Sequence, residues 1–471
     1  MVRHSWWVSS AVLALAACLT LGCARPIDLA HSDSPDSELA ALVDSDEARR
    51  LLANLLARRS ADAWLQAAAG SARLTEPASS ERGGVATDVR LPDQAFLKKL
   101  ADRTSMDFSA LVFARALSAE PRSRAVQAAF DRFLHEGPDR AADALRRPRG
   151  FPYTVLFAPS WLYRSHPENG SDFANQRRIL DTLGVANRLI ASGESDSVED
   201  NAAVIVRTIR ETACGAGPIV LVSASKSGAE AAMALSDLTS EDAACVAAWI
   251  NIAGSLRGTP LADSALRGPV KWLARGVFWL SGWSWDALES LETERSRRRL
   301  ETLRMPQTIT VLNVVAVPVS GSVGFQVYPG YQVLSSYGPN DGVVLLADTV
   351  WPGGINVVAL GADHIFARWR GDAYILAMLR ALDLAIRTHT PTPDPTITAE
   401  HTPPLTPPQP RRERHHRGGA GMGASEGAWD PFPSSGGGRS APGWSPAALG
   451  QRTRAAWSQG PSLAPIPAPP R

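Results

Sequence analysis

Three residues in this chain, Ser225, Asp341 and His364, have the types needed for nucleophilic chemistry. Ser225 lies in Pro218–Glu230, which reads PIVLVSASKSGAE. Ile219 to Ser223 are apolar or small and rich in Val, as in a buried parallel strand. Ala229 to Leu235 is Ala-rich and favours a helix. A strand, a tight turn with serine at its tip and a helix make the layout of a nucleophile elbow. Such a turn lifts the hydroxyl clear of a sheet and points helix amides at a developing oxyanion. The positions two before and two after the serine must be small. They are usually Gly, and here they are Ser223 and Ser227.

A serine nucleophile needs a base. Between residues 90 and 388 there are only three histidines, His135, His166 and His364. His135 ends a helical pattern and reads as a surface residue. His166 falls in the loop after the first core strand, where it could line a pocket or simply face solvent. His364 sits in Gly361-Ala-Asp-His364, between the last strand and the last helix, at the same sheet edge as the elbow. It is the expected base. The base needs a carboxylate to hold its tautomer. Asp341, in the turn-forming Asn340-Asp-Gly342, is the expected supplier. Asp363 is the alternative, but chain neighbours seldom face one another well. Two donors should hold the oxyanion: the N–H of Lys226, and one from Ser160 or Trp161 after the first strand.

Other chemistries fit less well. Ser223-Ala-Ser-Lys226 matches an S-x-x-K pattern, but no K-T-G accompanies it and the serine follows a strand. Ser227 would lie inside the helix's first turn. The spacing of a phosphate loop is absent. No metal-ligand cluster stands out, and no cofactor is implied.

These residues must be positioned by the segment from Phe151, where strands and helices alternate. Expected strands are Tyr153 to Ala158, Ala186 to Ala191, the elbow strand, Val246 to Ile252, Ile309 to Val317 and Ile355 to Leu360. Helices fall between them, one opened by the capping-box-like Ser197-Val-Glu-Asp200, and Phe366 to Ile386 follows the last strand. Alternation of this kind gives a parallel sheet covered on both faces. Residues 261–305 interrupt it with a Trp-rich excursion, which reads either as a lid over an apolar pocket or as a helical subdomain burying its own aromatics. Pro318 to Tyr337 could form a small β-excursion.

Upstream, 24–90 is a linker with helices: apolar spacing predicts one over Glu38 to Arg58 and another over Ala61 to Gly70, before a loose stretch, Ser71 to Asp88. Residues 91–150 form a helical region expected to pack on the core. Residues 389–471 are Pro-, Gly-, Ser- and Arg-rich and expected to be disordered. Residues 1–23 read as an export signal. Arg3 and His4 precede an apolar run, Val8 to Gly22, shorter than the roughly 20 residues of a membrane-spanning helix. Leu15-Ala16-Ala17-Cys18 and Leu19-Thr20-Leu21-Gly22-Cys23 both resemble a bacterial lipobox. Cys23 leaves the longer apolar run and is the preferred lipidation site; an ordinary secretory signal is the alternative. The expected location is therefore a bacterial envelope, with a lipid anchor in a membrane. In an oxidising compartment, Cys214 and Cys245 precede neighbouring strands and could pair, or stay as two buried thiols. A bridge would close a roughly 30-residue loop, contributing ~3 kcal/mol. The formal net charge of +1 gives no sign of nucleic-acid binding.

With these residues in view, Phe151 to Arg387 resembles the α/β-hydrolase superfamily, in its lipase- and esterase-like members. The order Ser225, Asp341, His364 around a strand–turn–helix carries the resemblance. Asn251-Ile-Ala-Gly254 through Asp263 is similar to the strand and loop after the elbow helix. Phe157-Ala-Pro-Ser-Trp161 is similar to the oxyanion loop. The elbow departs at its missing glycines. The resemblance implies a serine hydrolase acting on small-molecule or lipid esters, thioesters or amides. The rival reading is a lipoprotein that uses the same fold only to bind a lipid or protein partner.

Overall fold

The computed structural model describes residues 35–68, 91–146, 150–212, 217–366 and 371–389. The chain divides into two compact units, Met1–Ala399 and Glu400–Arg471, and only the first contains described residues. The signal segment with Cys18 and Cys23, the 71–88 linker, Cys214 and the 390–471 tail lie outside them.

Six strands form one sheet: β1 (Thr154–Ala158), β2 (Asn187–Leu189), β3 (Ile219–Ala224), β4 (Val246–Ile252), β5 (Thr310–Val317) and β6 (Ile355–Leu360). Their order is β2-β1-β3-β4-β5-β6, and every pair is parallel. The near-continuous apolar runs of β1, β3 and β5 are what a sheet buried on both faces requires. With helices on both faces this is the α/β-hydrolase fold.

The helices in chain order are α1 (Pro35–Ala41), α2 (Asp46–Ala68), α3 (Gln94–Arg103), α4 (Met106–Leu117), α5 (Pro121–Glu136), α6 (Pro138–Arg146), α7 (Ala174–Leu183), α8 (Val198–Thr212), α9 (Lys226–Ser236), α10 (Ser240–Ala244), α11 (Pro260–Leu266), α12 (Val270–Ser281), α13 (Trp285–Glu289), α14 (Thr293–Thr302), α15 (Tyr328–Leu334) and α16 (Gly371–His389). Two cores result. One packs Phe130, Phe157, Leu180 and Leu379 on one sheet face, and the other packs Leu156, Ile205, Leu235 and Trp249 on the opposite face.

Three expectations change. The helices expected over 38–58 and 61–70 are one continuous helix, α2, through Ala68, preceded by the short α1. Nothing breaks the pattern near Arg58, because the residues there are good helix formers. The helix after the elbow begins at Lys226, three residues earlier than its Ala-rich run suggested. Pro318–Tyr337 contains no strand: it folds as 3₁₀ turns around α15, with Pro329 in the helix's first turn, where its missing N–H costs nothing.

The N-terminal helices close the sheet's edge. Ser123 Oγ accepts the N–H of Asn356 (2.9 Å), Gln127 Oε1 accepts that of Val358 (2.7 Å), and Arg59 donates to the Val358 carbonyl (3.0 Å). An open β6 would offer these groups to another chain; α5 and α2 occupy them instead. Arg59 is itself held by Asp131 through two 2.9 Å bonds.

Cys245 is disulfide-bonded. Cys214, its expected partner, lies outside the described residues.

Candidate active site

The elbow forms at Ser225. Its backbone has φ 54° and ψ −124°, a conformation that costs a non-Gly residue about 1–3 kcal/mol. Three main-chain bonds hold it there. Ser225 N–H donates to Ile252 O (3.0 Å), and Ser225 O accepts from Gly228 and Ser255 (2.9 Å each). The missing glycines are replaced by serines with fully used hydroxyls. Ser227 Oγ accepts the Ala224 N–H (2.9 Å) and donates to Ala158 O of β1 (2.8 Å). Ser223 Oγ accepts the indole N–H of Trp249 (2.8 Å).

Close approach at the elbow falls on two other glycines. A Cβ on Gly228 would sit 2.6 Å from Gly254 Cα, and one on Gly254 would sit 2.0 Å from Asn251 Oδ1. Gly254→Ala is therefore expected to lower the melting temperature by several degrees, since neither α9 nor the buried Asn251 can retreat. Thermal denaturation followed by circular dichroism checks this.

Asn251 starts a ladder that fixes the acid loop. Asn251 Nδ2 donates to Asn313 Oδ1 (3.1 Å), and Asn313 Nδ2 to Asn356 Oδ1 (3.0 Å), across in-register positions of β4, β5 and β6. The same amides bond Thr349 O (2.8 Å) and Trp351 O (3.1 Å), in the segment leading into β6. That segment follows the Asp341 turn. The three buried asparagines thus bond in a row across the sheet and anchor the loop.

The structure brings Ser225, His364 and Asp341 together. His364 Nε2 lies 2.8 Å from Ser225 Oγ, and His364 Nδ1 lies 2.8 Å from Asp341 Oδ2. Asp341 is fully buried, and its other oxygen accepts the N–H groups of Val343 (2.9 Å) and Val344 (2.7 Å). His364 N–H also donates to Asp341 O (2.9 Å), so backbone and side chain fix the pair. Asp363 faces the other way, accepting the Gly324 N–H at 2.8 Å. Of the remaining histidines, His135 is exposed and His166 packs edge-on to Trp283, 6.1 Å between centroids.

Of the two candidates in the loop after β1, Ser160 is excluded as a main-chain donor. Its N–H donates to Ser171 O (3.0 Å), which the sequence could not show because Ser171 belongs to a later turn. Trp161 remains, beside Ser160 and Ser225 in the cavity wall. The Lys226 N–H lies in the first turn of α9, has no intrahelical acceptor, and meets no side-chain cap. The Lys226 side chain is buried and ion-paired with Glu230, which also accepts from Asn201 (2.9 Å). It is thereby turned away from any Ser–Lys pairing.

The loop after β2 clamps the Trp161 turn. Leu162 N–H donates to Glu194 O (3.0 Å), and the Glu194 carboxylate accepts from the N–H groups of Arg164 (3.0 Å) and Ser165 (2.8 Å) and from the Ser165 hydroxyl (2.6 Å). Partial burial raises the Glu194 pKa, but these bonds outweigh it and hold the group below its ordinary value. Sequence reasoning missed Glu194: a lone glutamate in a polar loop carries no signal.

Ser225 and His364 open into a cavity of about 400 Å³. Its apolar wall comes from Phe173, Ile252, Leu261, Phe366, Tyr374 and Met378, with Asn169 and Gln176 adding polar groups. The α16 contribution was not anticipated. From the 261–305 insertion only Leu261 lines the cavity. The insertion's aromatics mostly pack together, Phe278 against Trp161, Trp283 and Trp285. Among the described residues no group of His, Cys, Asp and Glu could hold a metal ion.

No family model matches the chain, and no curated protein matches it. Solved structures similar to it are carboxyl esterases and lipases. One is a metagenomic carboxyl esterase, 21% identical, over 50% of this chain and 75% of that one, with a TM-score of 0.40. Another is the mature form of the Bacillus licheniformis lipase BlEst2, 22% identical, over 47% of this chain and 88% of that one, TM-score 0.39. A third, phospholipase PlaB from Legionella pneumophila, is 16% identical, over 42% of this chain and 45% of that one, TM-score 0.29.

Proposed function

We propose that this chain is a serine hydrolase that cleaves carboxylic esters through an acyl-enzyme on Ser225. The supporting observation is the unbroken hydrogen-bond path from Ser225 Oγ through His364 to the buried Asp341. His364 takes the Ser225 proton as Oγ attacks the ester carbonyl. The N–H groups of Lys226 and Trp161 hold the oxyanion, and His364 returns the proton to the leaving alcohol. Water activated by His364 then releases the acid and frees Ser225. Asp341 holds the imidazole with Nδ1 protonated, so that Nε2 faces Ser225. The mostly apolar cavity suits an acyl chain. The export signal, with Cys23 as its lipid anchor, places the reaction in the cell envelope in this reading, and a disulfide-bonded Cys245 fits that compartment.

A fluorophosphonate probe tests the proposal. The wild-type chain is expected to be labelled covalently and to turn over short p-nitrophenyl esters. An unlabelled, inactive wild type would leave the fold as a binding module.

A further inference from the structure

Helix α12 has two unlike faces. Val270, Ala274 and Phe278 are buried, and the last of these packs on Trp161 with 5.9 Å between ring centroids. The opposite face carries Trp272, Leu273, Trp279 and Leu280, which are 74%, 60%, 79% and 78% exposed. Residues seven apart on a helix fall within about 20° of each other, so Trp272 lies over Trp279 and Leu273 over Leu280. Four large apolar side chains thus form a single stripe on a 12-residue helix. Scattered exposed apolar residues need no explanation, but a contiguous stripe does. Lys271 and Arg275, the latter over the Trp285 ring at 5.8 Å, lie beside it on the helix, Arg267 comes just before the helix, and no acidic residue occurs between Asp263 and Asp286. At 12 residues the helix is too short to cross a bilayer, which takes roughly 20.

From this stripe and its charges we infer that α12 docks the protein on an anionic phospholipid surface, lying in the plane of the interface. Tryptophan and leucine on one face with Lys and Arg beside them suit the headgroup–acyl boundary. The charge pattern decides against the other obvious occupant. A second copy meeting this face about a two-fold axis would set three cations against three cations. The docking surface is separate from the N-terminal lipid anchor and does not depend on what Ser225 does. It has a geometric consequence all the same. Trp161 lines the cavity and touches the buried face of α12, so a docked helix brings the cavity wall within about one helix diameter, roughly 10 Å, of the interface.

A local reporter tests this. Leu280→Cys in the full chain, with Cys18 and Cys23 changed to Ser, is labelled with the environment-sensitive fluorophore NBD. Vesicles of phosphatidylglycerol and phosphatidylcholine in equal amounts are expected to shift its emission to the blue and raise its intensity several-fold. Pure phosphatidylcholine vesicles are expected to do much less. Reversing Lys271 and Arg275 to Glu should weaken the vesicle titration by roughly thirtyfold or more. Because the probe reports only its own surroundings, membrane attachment through the N-terminus would leave it in water and unshifted, which overturns the proposal. A blue shift that follows protein concentration without lipid would also overturn it, by showing a second copy on this face.

Discussion

Ser225→Ala is expected to abolish fluorophosphonate labelling and to lower kcat on short p-nitrophenyl esters by about 10⁴-fold or more. The size follows from the geometry. Ser225 Oγ is the oxygen that His364 Nε2 faces, at 2.8 Å. The neighbouring serines are otherwise engaged: Ser227 ties the elbow to β1, and Ser223 accepts from Trp249. Neither can substitute. The variant should keep its melting temperature, because alanine at φ 54° carries the same backbone strain as serine and Ser225 Oγ caps no helix N–H. Labelling that persists in Ser225→Ala would move the nucleophile elsewhere.

The parts of this molecule that could be read from sequence are those whose signal is local. The elbow shows as a Val-rich run, a serine between small residues, and a helix former. His364 follows from the scarcity of histidines and its place after the last strand. Asp341 follows from turn chemistry, since Asn-Asp-Gly is suited to present a side chain. The parts that could not be read depend on partners distant in the chain. Ser160 looked as eligible as Trp161 until its N–H was found on Ser171. Asn313 and Asn356 look like flaws in apolar strands, and only the sheet's register shows that they bond each other. Ser123 and Gln127 look like ordinary polar helix residues, yet they occupy the N–H groups of a strand more than 230 residues away. Composition likewise could not tell the two faces of α12 apart: its tryptophans suit a cover for the pocket or a subdomain that buries its own aromatics, whereas Trp272 and Trp279 are exposed.

Asp341→Asn is expected to cost nearly as much as loss of the nucleophile, about 10⁴-fold in kcat at neutral pH, with the fold intact. The amide is the same size as the carboxylate. Its oxygen can still accept the N–H groups of Val343 and Val344. The remaining position, 2.8 Å from His364 Nδ1, then holds an NH₂ group. Two donors cannot face each other, so the imidazole must give up its Nδ1 proton and carry one on Nε2. That tautomer presents N–H to Ser225 Oγ and cannot take its proton. Asp363→Asn provides the contrast. Its carboxylate serves the Gly324 N–H, which an amide oxygen can also accept, so kcat is expected within about tenfold of wild type. Steady-state kinetics of both variants, with melting temperatures to confirm folding, separates the two aspartates. Retained activity in Asp341→Asn together with its loss in Asp363→Asn would transfer the tautomer-holding role to the chain neighbour.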